Sequence, residues 1–255
     1  ALGSEGREEQ TIATDQDNAL ILQDSCDDAL LSRWLAFARE ANHALDSCGF
    51  PLCKGQVMAS NPELCMTGGH WQARFGEWID HGAPQDLLNA SIFFDLRGLW
   101  GHLPLAQHLH QTIAVHAPQV PRFLKQLADN ALLRAVPITW TGGLDTDKAG
   151  TIDLKQRGTA VFVDAARLYA LANGVQEGNT RARLYAVGSK LGLAASEYEG
   201  WISAFEFLQT LRLRAQISGS TDADHPNCIA IHSLHTVDRR ILKEAFNVAH
   251  ALQQR

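Results

Sequence analysis

The stretch "GSEGREEQTIATDQDN", from Gly3 to Asn18, decides the fold. It joins a glycine-serine turn and a short charged segment to two aspartates, Asp15 and Asp17, that are separated by one residue. Glycine lets the backbone approach a ligand closely, and the amides that begin a helix point their donors toward an anion. Two carboxylates on one face of a strand repel each other unless a cation lies between them. The stretch therefore predicts a phosphate-holding turn beside a pair of metal-binding carboxylates.

The residues that follow predict the elements that would carry these groups. The run Ala19–Leu22 is typical of a buried strand, and apolar spacings of three and four between Asp27 and Gly49 predict a long amphipathic helix. The same spacing predicts a second helix around Trp71–Ile79. The segment "ASIFFDLRG", Ala90 to Gly98, is predicted to be a second buried strand, and it carries Asp95.

Asp95 would complete a metal site if its strand lay beside the one that carries Asp15 and Asp17. Mg²⁺ takes carboxylate oxygens and keeps its other positions for water and substrate phosphates. A third carboxylate allows two ions to be held together, one on each side of a reacting phosphate. A triphosphate, two metal ions and three aspartates point to nucleotidyl transfer, in which an acceptor oxygen attacks the α-phosphorus and pyrophosphate leaves.

Four other residues are candidates for contacts with the nucleotide, and each has a simpler interpretation. Gly3 and Ser4 would hold the phosphates, although the same pair is also typical of a helix N-cap without a ligand. Arg7 would add positive charge one turn further on, or serve as a salt-bridge residue on the helix. Lys155 would reach the triphosphate or the acceptor from a later segment, or belong to an exposed ion-pair network with its charged neighbours, which contributes little.

The chain from Leu105 onward is predicted to be almost wholly helical. We therefore divide it into a catalytic core, residues 1–104, and a helical domain, residues 105–255. Arg212 is expected on a solvated helix face. The predicted helices are Leu105–Ala117, Pro121–Ala135, Gly158–Asn173, Thr180–Leu191, Ser196–Ile217 and Thr236–Gln254.

Composition excludes several other classes of protein. The chain has 255 residues and a formal net charge of -6, and this acidic balance disfavours nucleic acid as a partner. No apolar run approaches the ~18 to 20 residues of a membrane span, and no secretory leader pattern opens the chain, so we predict a cytoplasmic protein without membrane contact. Five cysteines without CxxC spacing fit reduced thiols rather than a disulfide framework or a zinc ribbon.

Several segments together resemble one known family. They are "GSEGREEQTIATDQDNALI", "GFPLCKGQVMASNPELC", "WQARFGEWI" and "FFDLRGLWG" in the first half, and "IDLKQRGTAVFVDAARLYAL", "FEFLQTLRLRAQ" and "LHTVDRRILKEAF" in the second. In this order they resemble the nucleotidyltransferases that bacterial signalling proteins often carry behind cyclic-nucleotide-binding and CBS-pair domains. Those proteins are relatives of the PII-protein uridylyltransferase, and the resemblance covers nearly the whole chain.

The resemblance implies an α+β fold, in which a polymerase-β-like core with a small mixed sheet precedes an all-α, substrate-binding domain. Gly3 and Ser4 would then hold the β and γ phosphates of a nucleoside triphosphate (NTP), and Asp15 and Asp17 would bind both Mg²⁺ ions. Asp95 would complete the site and help to activate the acceptor. The first strand of such a core is almost missing ahead of the turn. We therefore expect this chain to be a truncated piece of a longer protein with regulatory domains upstream.

The resemblance also implies an activity and leaves an alternative open. The activity is Mg²⁺-dependent transfer of a nucleoside monophosphate from an NTP to a hydroxyl of a protein or small-molecule acceptor. The alternative is a catalytically silent module that senses a nucleotide or docks onto a protein. Retention of all three aspartates favours the enzyme, because a module kept only for binding has no need of the full set.

Overall fold

The computed structural model describes residues 1–222 and 224–255, except for the side chains of residues 88 and 89. The chain forms two compact units: the first contains Ala1–Gln10 and Thr14–Leu124, and the second contains Thr11–Ala13 and Lys125–Arg255. The units thus divide at Leu124, whereas the sequence placed the end of the catalytic core at residue 104. The boundary differs because the helix Pro104–His116 packs against the helix Gly68–His81 of the first unit.

The first unit combines helices with a two-stranded parallel sheet. Strand β1 (Leu20–Leu22) pairs with strand β2 (Cys65–Thr67), with Leu20 opposite Cys65 and Leu22 opposite Thr67. The aromatic side chains of the helix that follows β2 build the core, where Trp71 and Phe75 are both almost fully buried. The elements are α1 (Gly3–Gly6), β1 (Leu20–Leu22), α2 (Asp28–Ser47), β2 (Cys65–Thr67), α3 (Gly68–His81), α4 (Pro84–Ala90) and α5 (Pro104–His116).

The predicted strand Ala90–Gly98 is wrong. Helix α4 ends at Ala90, and a short 3₁₀ helix, Ser91–Phe94, follows, with Asp95 as its C-cap. Phe93 and Phe94 are consecutive and both buried, and they pack against aromatic rings of α3. A strand sends neighbouring side chains to opposite faces, whereas a helical turn can bury two in succession. Short apolar runs are ambiguous between the two structures for this reason.

Helix α2 forms where the spacing predicted it, and the Asp27 carboxylate caps it by accepting from the Leu30 amide. Its apolar stripe is nevertheless partly open to solvent: Leu30, Phe37 and Leu45 are between 39% and 52% exposed. Two residues of the helix are buried: Ala38 is 1% exposed and the polar Asn42 is 3% exposed. Polar contacts therefore fix the position of α2 over the segment with Asp15 and Asp17.

The second unit is a helical bundle with one small antiparallel pair. Its helices confirm the sequence prediction to within three residues at each end, and their apolar faces form a single buried cluster. Strand β3 (Thr151–Asp153) pairs with strand β4 (Cys228–Ala230), with Ile152 opposite Ile229. In the part of the chain that the structure describes, no helix is both long enough and apolar enough to cross a membrane. The elements are α6 (Pro121–Leu132), which spans the division between the units, β3 (Thr151–Asp153), α7 (Ala160–Ala172), α8 (Thr180–Lys190), α9 (Ala195–Ile217), β4 (Cys228–Ala230) and α10 (Thr236–Gln253).

Helices α8 and α9 approach each other at Gly188, which predicts a large effect of a single methyl group. A Cβ at Gly188 would lie 2.7 Å from the Cβ of Tyr198, an atom that no rotamer change can move away. We expect Gly188→Ala to lower the free energy of unfolding by about 1–3 kcal/mol, as overpacking does. Gly200→Ala in α9 is the control, because nothing lies within 4 Å of its Cβ position and alanine favours a helix. Urea unfolding checks both variants, and equal stability of the two would contradict the prediction.

Candidate active site

The segment that carries Asp15 and Asp17 is extended and lies just before β1 rather than within it. Two of its backbone amides donate hydrogen bonds to the loop after α2: the Gln16 amide donates to the Pro51 carbonyl, and the Asn18 amide donates to the Val57 carbonyl. An extended backbone sends alternate side chains to opposite faces. The two aspartates therefore share one face, as the sequence predicted, while the two amide side chains share the other.

The amide face is fixed by a buried network around Asn42 of α2. The Asn42 side-chain amide donates to Oε1 of Gln16 at 2.7 Å and to Oδ1 of Asn18 at 3.0 Å. The side-chain carbonyls of Asn18 and Asn42 accept from the backbone amides of Ala59 and Ser60. A satisfied buried network is rigid. It holds the aspartate segment, α2 and the loop after α2 in one arrangement.

The opposite face brings three ligand atoms together. One oxygen of Asp15, one of Asp17 and Sγ of Cys53 all lie within 4.8 Å of one another. Burial raises the pKa of the Cys53 thiol, and its hydrogen bond to the Asp17 carboxylate raises that pKa further, while the amides of Val57 and Gly55 act in the opposite direction. Ligands about 2.0–2.6 Å from a hard cation span nearly this separation. The group therefore fits one divalent ion after small side-chain adjustments.

The glycine-serine turn lies directly against this group. Gly3 has φ +56°, the left-handed region that glycine tolerates best. A Cβ at this position would lie 3.3 Å from Oδ2 of Asp17 and 2.9 Å from Cγ1 of Ile92. Only glycine lets the backbone come so close to the carboxylate. The structure thus brings Gly3, and with it Ser4 at the start of α1, to the aspartate pair.

Among the described residues, the candidate metal-binding group of Asp15, Asp17 and Cys53 does not include Asp95. Asp95 is fully buried, and its Oδ2 accepts from Nη1 of Arg7 at 2.5 Å. Arg7 also donates through Nε to Glu9 at 2.8 Å, so it acts as the salt-bridge residue that was one of its two interpretations. A Cβ at Gly6 would lie 1.8 Å from the Asp95 carbonyl oxygen, so this glycine is required where α1 meets the Asp95 backbone. The sequence does not predict the ion pair between Arg7 and Asp95, because the two residues are 88 positions apart in the chain.

Lys155 belongs to the second unit, where it begins a single π-helical turn, Lys155–Thr159. Its backbone amide and that of Gln156 donate to the Asp153 carboxylate at 2.8 Å. The Asp153 carboxylate therefore holds the backbone of Lys155, the predicted nucleotide contact, in place. The role of the Lys155 ammonium group stays a prediction.

An apolar cavity of about 550 Å³ lies elsewhere in the first unit, beside β1. Leu20, Trp71 and Leu109 contribute to its walls, and the indole N–H of Trp71 donates to the Leu20 carbonyl. Neither Asp15 nor Asp17 lines it. The two carboxylates are therefore not part of the cavity wall, which does include Asn18 beside Asp17 and the guanidinium-bearing Arg97.

Two family models match the chain in the order of its two units. Residues 1–85 match "Putative nucleotidyltransferase DUF294", and residues 121–255 match "Putative nucleotidyltransferase substrate binding domain". The second match alone covers more than half of the chain. The chain belongs to this family. No curated protein and no solved structure matches it.

Membership of the DUF294 family confirms the resemblance that the sequence motifs indicated, and with it the α+β core followed by a helical domain. It supports a nucleotidyltransferase as the general class of the protein and an NTP as its general substrate.

The DUF294 match contains the glycine turn, both aspartates and Cys53, whereas Asp95 lies beyond the last matched residue. Sequence reasoning missed Cys53 and Asn42, and no local pattern marks either residue, because contacts with the distant segment around Gln16 place both of them.

Proposed function

We propose that this protein transfers a nucleoside monophosphate from an NTP to a hydroxyl group of a protein or small-molecule acceptor, in the manner of the PII uridylyltransferase. The reaction would be Mg²⁺-dependent and would belong to bacterial cytoplasmic signalling. One observation carries the proposal: the left-handed Gly3 turn lies against the Asp17 carboxylate, with Asp15 in the same group. A phosphate-holding turn and a metal-binding pair are thereby adjacent, which is the juxtaposition that nucleotidyl transfer needs.

Each of these residues would have a separate role in the in-line transfer reaction. The acceptor oxygen forms a bond to the α-phosphorus, the bond from that phosphorus to the bridging oxygen breaks, and pyrophosphate leaves while the acceptor loses its proton. Bound Mg²⁺ supplies charge neutralisation for the triphosphate. Asp15 and Asp17 would hold it, and the backbone of Gly3 and Ser4 would orient the β and γ phosphates. The hydrogen bond from the Leu2 amide to the Asp17 carbonyl keeps the glycine turn beside the aspartates, and the Asn42 network holds the aspartate segment itself.

We propose a different role for Asp95 from that of third metal ligand. Its carboxylate is paired with Arg7 and does not join the group formed by Asp15 and Asp17. Through Arg7 it would fix the end of α1 and so position the glycine turn. Lys155 remains our candidate for a contact with the triphosphate or the acceptor.

Equilibrium binding of ATP, UTP, CTP and GTP, with and without Mg²⁺, tests the proposal. We expect one nucleotide to bind in a Mg²⁺-dependent manner and this binding to vanish in the Asp15→Asn, Asp17→Asn double variant. Asparagine keeps the shape of the side chain and removes its charge, so loss of binding in a folded variant reports the metal site. Absence of Mg²⁺-dependent binding of any nucleotide to the wild type would overturn the proposal.

The second candidate is a catalytically silent module that senses a nucleotide. The observation that favours it is the Arg7–Asp95 pair, because an ion-paired Asp95 is not available to activate an acceptor. The two candidates differ in turnover: the sensor binds the nucleotide and releases no pyrophosphate with any acceptor in a lysate. Measured pyrophosphate release that requires Asp17 would exclude it.

A further inference from the structure

Cys53 lies in the loop that closes over the aspartate segment. Backbone bonds at Pro51 and Val57 fasten this loop to Gln16 and Asn18 on either side of Cys53. The thiol therefore belongs to a loop segment that is hydrogen-bonded to the aspartate segment at both ends. Its position relative to Asp17 is determined by the same backbone pairing that determines the position of the aspartates.

The surroundings of Cys53 differ from those of an apolar core cysteine. Cys53 is 7% exposed and Cys65 is 2% exposed, so both are buried. Among the described residues, however, Cys53 is the thiol that shares a group with two carboxylates, whereas Cys65 lies in β2 outside that group. A buried thiol that donates to a carboxylate beside a second one is a donor set of mixed hardness: two hard oxygens and one soft sulfur.

We propose that Cys53 makes the aspartate pair a mixed oxygen–sulfur site, which binds a thiophilic divalent cation of the Zn²⁺ or Cd²⁺ type in preference to Mg²⁺. Such an ion would displace Mg²⁺ and inhibit the enzyme. The inhibition, though not the binding, rests on the function proposed above. When the sulfur–metal bond forms, the thiol proton leaves to solvent and the metal keeps its oxidation state.

The selectivity follows from ligand chemistry. Thiolate is a soft ligand that favours Zn²⁺ and related ions, whereas Mg²⁺ favours carboxylate and water and retains its water shell. Zn²⁺ is held at about 2.3 Å by sulfur and at about 2.0–2.2 Å by carboxylate oxygen, in tetrahedral geometry. Three protein ligands within 4.8 Å of one another leave a fourth position for water or a phosphate oxygen. The site would therefore hold the inhibitory ion where Mg²⁺ and the NTP meet.

Cd²⁺ is the probe that tests this site, because a thiolate bound to Cd²⁺ absorbs in the ultraviolet and no transfer activity is needed. We expect Cd²⁺ to produce this band in the whole protein, and excess Mg²⁺ to reduce it. In Cys53→Ser the band at the tight site should vanish, and Cd²⁺ affinity should fall at least roughly 10- to 100-fold, which is the loss that mutation of an outer-shell partner already causes. Cys48→Ser is the matched control, because Cys48 is an exposed thiol outside the carboxylate group, and it should retain the band.

The outcomes separate this proposal from the proposed function. A band that is unchanged in Cys53→Ser, or that Mg²⁺ does not reduce, overturns the mixed site even if Mg²⁺-dependent NTP binding is intact. A Cys53-dependent band together with no NTP binding supports the site and overturns the proposed function. Asp17→Asn gives a second readout in case Cys53→Ser unfolds, since loss of one oxygen ligand should weaken Cd²⁺ binding while the thiol remains. Full Cd²⁺ affinity in folded Asp17→Asn would contradict the mixed site.

Discussion

We expect the Asp17→Asn variant to lose nucleotidyl transfer, with pyrophosphate release falling on the order of 10³-fold or more. Metal-dependent stabilisation of the transition state is worth several kcal/mol, and each 1.36 kcal/mol is about tenfold in rate. The Asp17 carboxylate lies against the Gly3 turn and within 4.8 Å of the Asp15 and Cys53 ligand atoms. Its charge is therefore at the point where the proposed function would bring phosphate and metal together. Asp15→Asn should have an effect of the same order.

Pyrophosphate release measures this loss, with the bound NTP as donor and a lysate as the source of acceptor, after subtraction of the lysate alone. Asp28→Asn is the control, because Asp28 is an exposed carboxylate at the start of α2, outside the metal-binding group. It should retain the wild-type rate. A folded Asp17→Asn variant that releases pyrophosphate as fast as Asp28→Asn does would show that Asp17 holds no catalytic metal.

Local sequence patterns were sufficient for the parts of the fold that local physics determines. The helices of the second unit follow from apolar spacing and end signals, and each was located to within three residues. The alternation of Asp15 and Asp17 with Gln16 and Asn18 also follows from the period of an extended chain. These features depend on neighbours along the chain, so they are visible without a structure.

The parts that the sequence did not predict depend on distant contacts. Arg212 was expected on a solvated face and is instead 6% exposed, with bonds to Asn227, Gln209 and Thr11. Thr11 lies 201 positions away, and no spacing rule reaches so far. The same holds for Cys53, whose place beside Asp17 depends on a loop fastened by backbone bonds. Tertiary pairing of polar groups, rather than propensity, decided the details of the site.

Removal of the Asp95 carboxylate should produce the largest loss of stability among the variants considered. Asp95 is fully buried and Arg7 is 12% exposed in its side chain, so Asp95→Ala leaves a buried guanidinium with one fewer counter-charge. Breaking a buried pair from one side costs about 3–5 kcal/mol, and we expect the lower end because Glu9 still contacts Arg7. Urea unfolding measures this loss. Asp129→Ala is the control: its exposed pair with Lys125 is worth about 0.3–0.5 kcal/mol.

The Asp95→Asn variant distinguishes the two roles considered for Asp95. If Asp95 positions Arg7, then Asp95→Asn should lower the free energy of unfolding. The same substitution should lower it less in the Arg7→Met variant, and a double-mutant cycle measures this difference. The stabilisation that Mg²⁺ and the NTP give the protein should then persist in Asp95→Asn, since Asp15 and Asp17 remain. If Asp95 were a metal ligand, that ligand-dependent stabilisation would disappear and the coupling to Arg7 would be small. A stable Asp95→Asn variant without a Mg²⁺ response would therefore return Asp95 to the metal site.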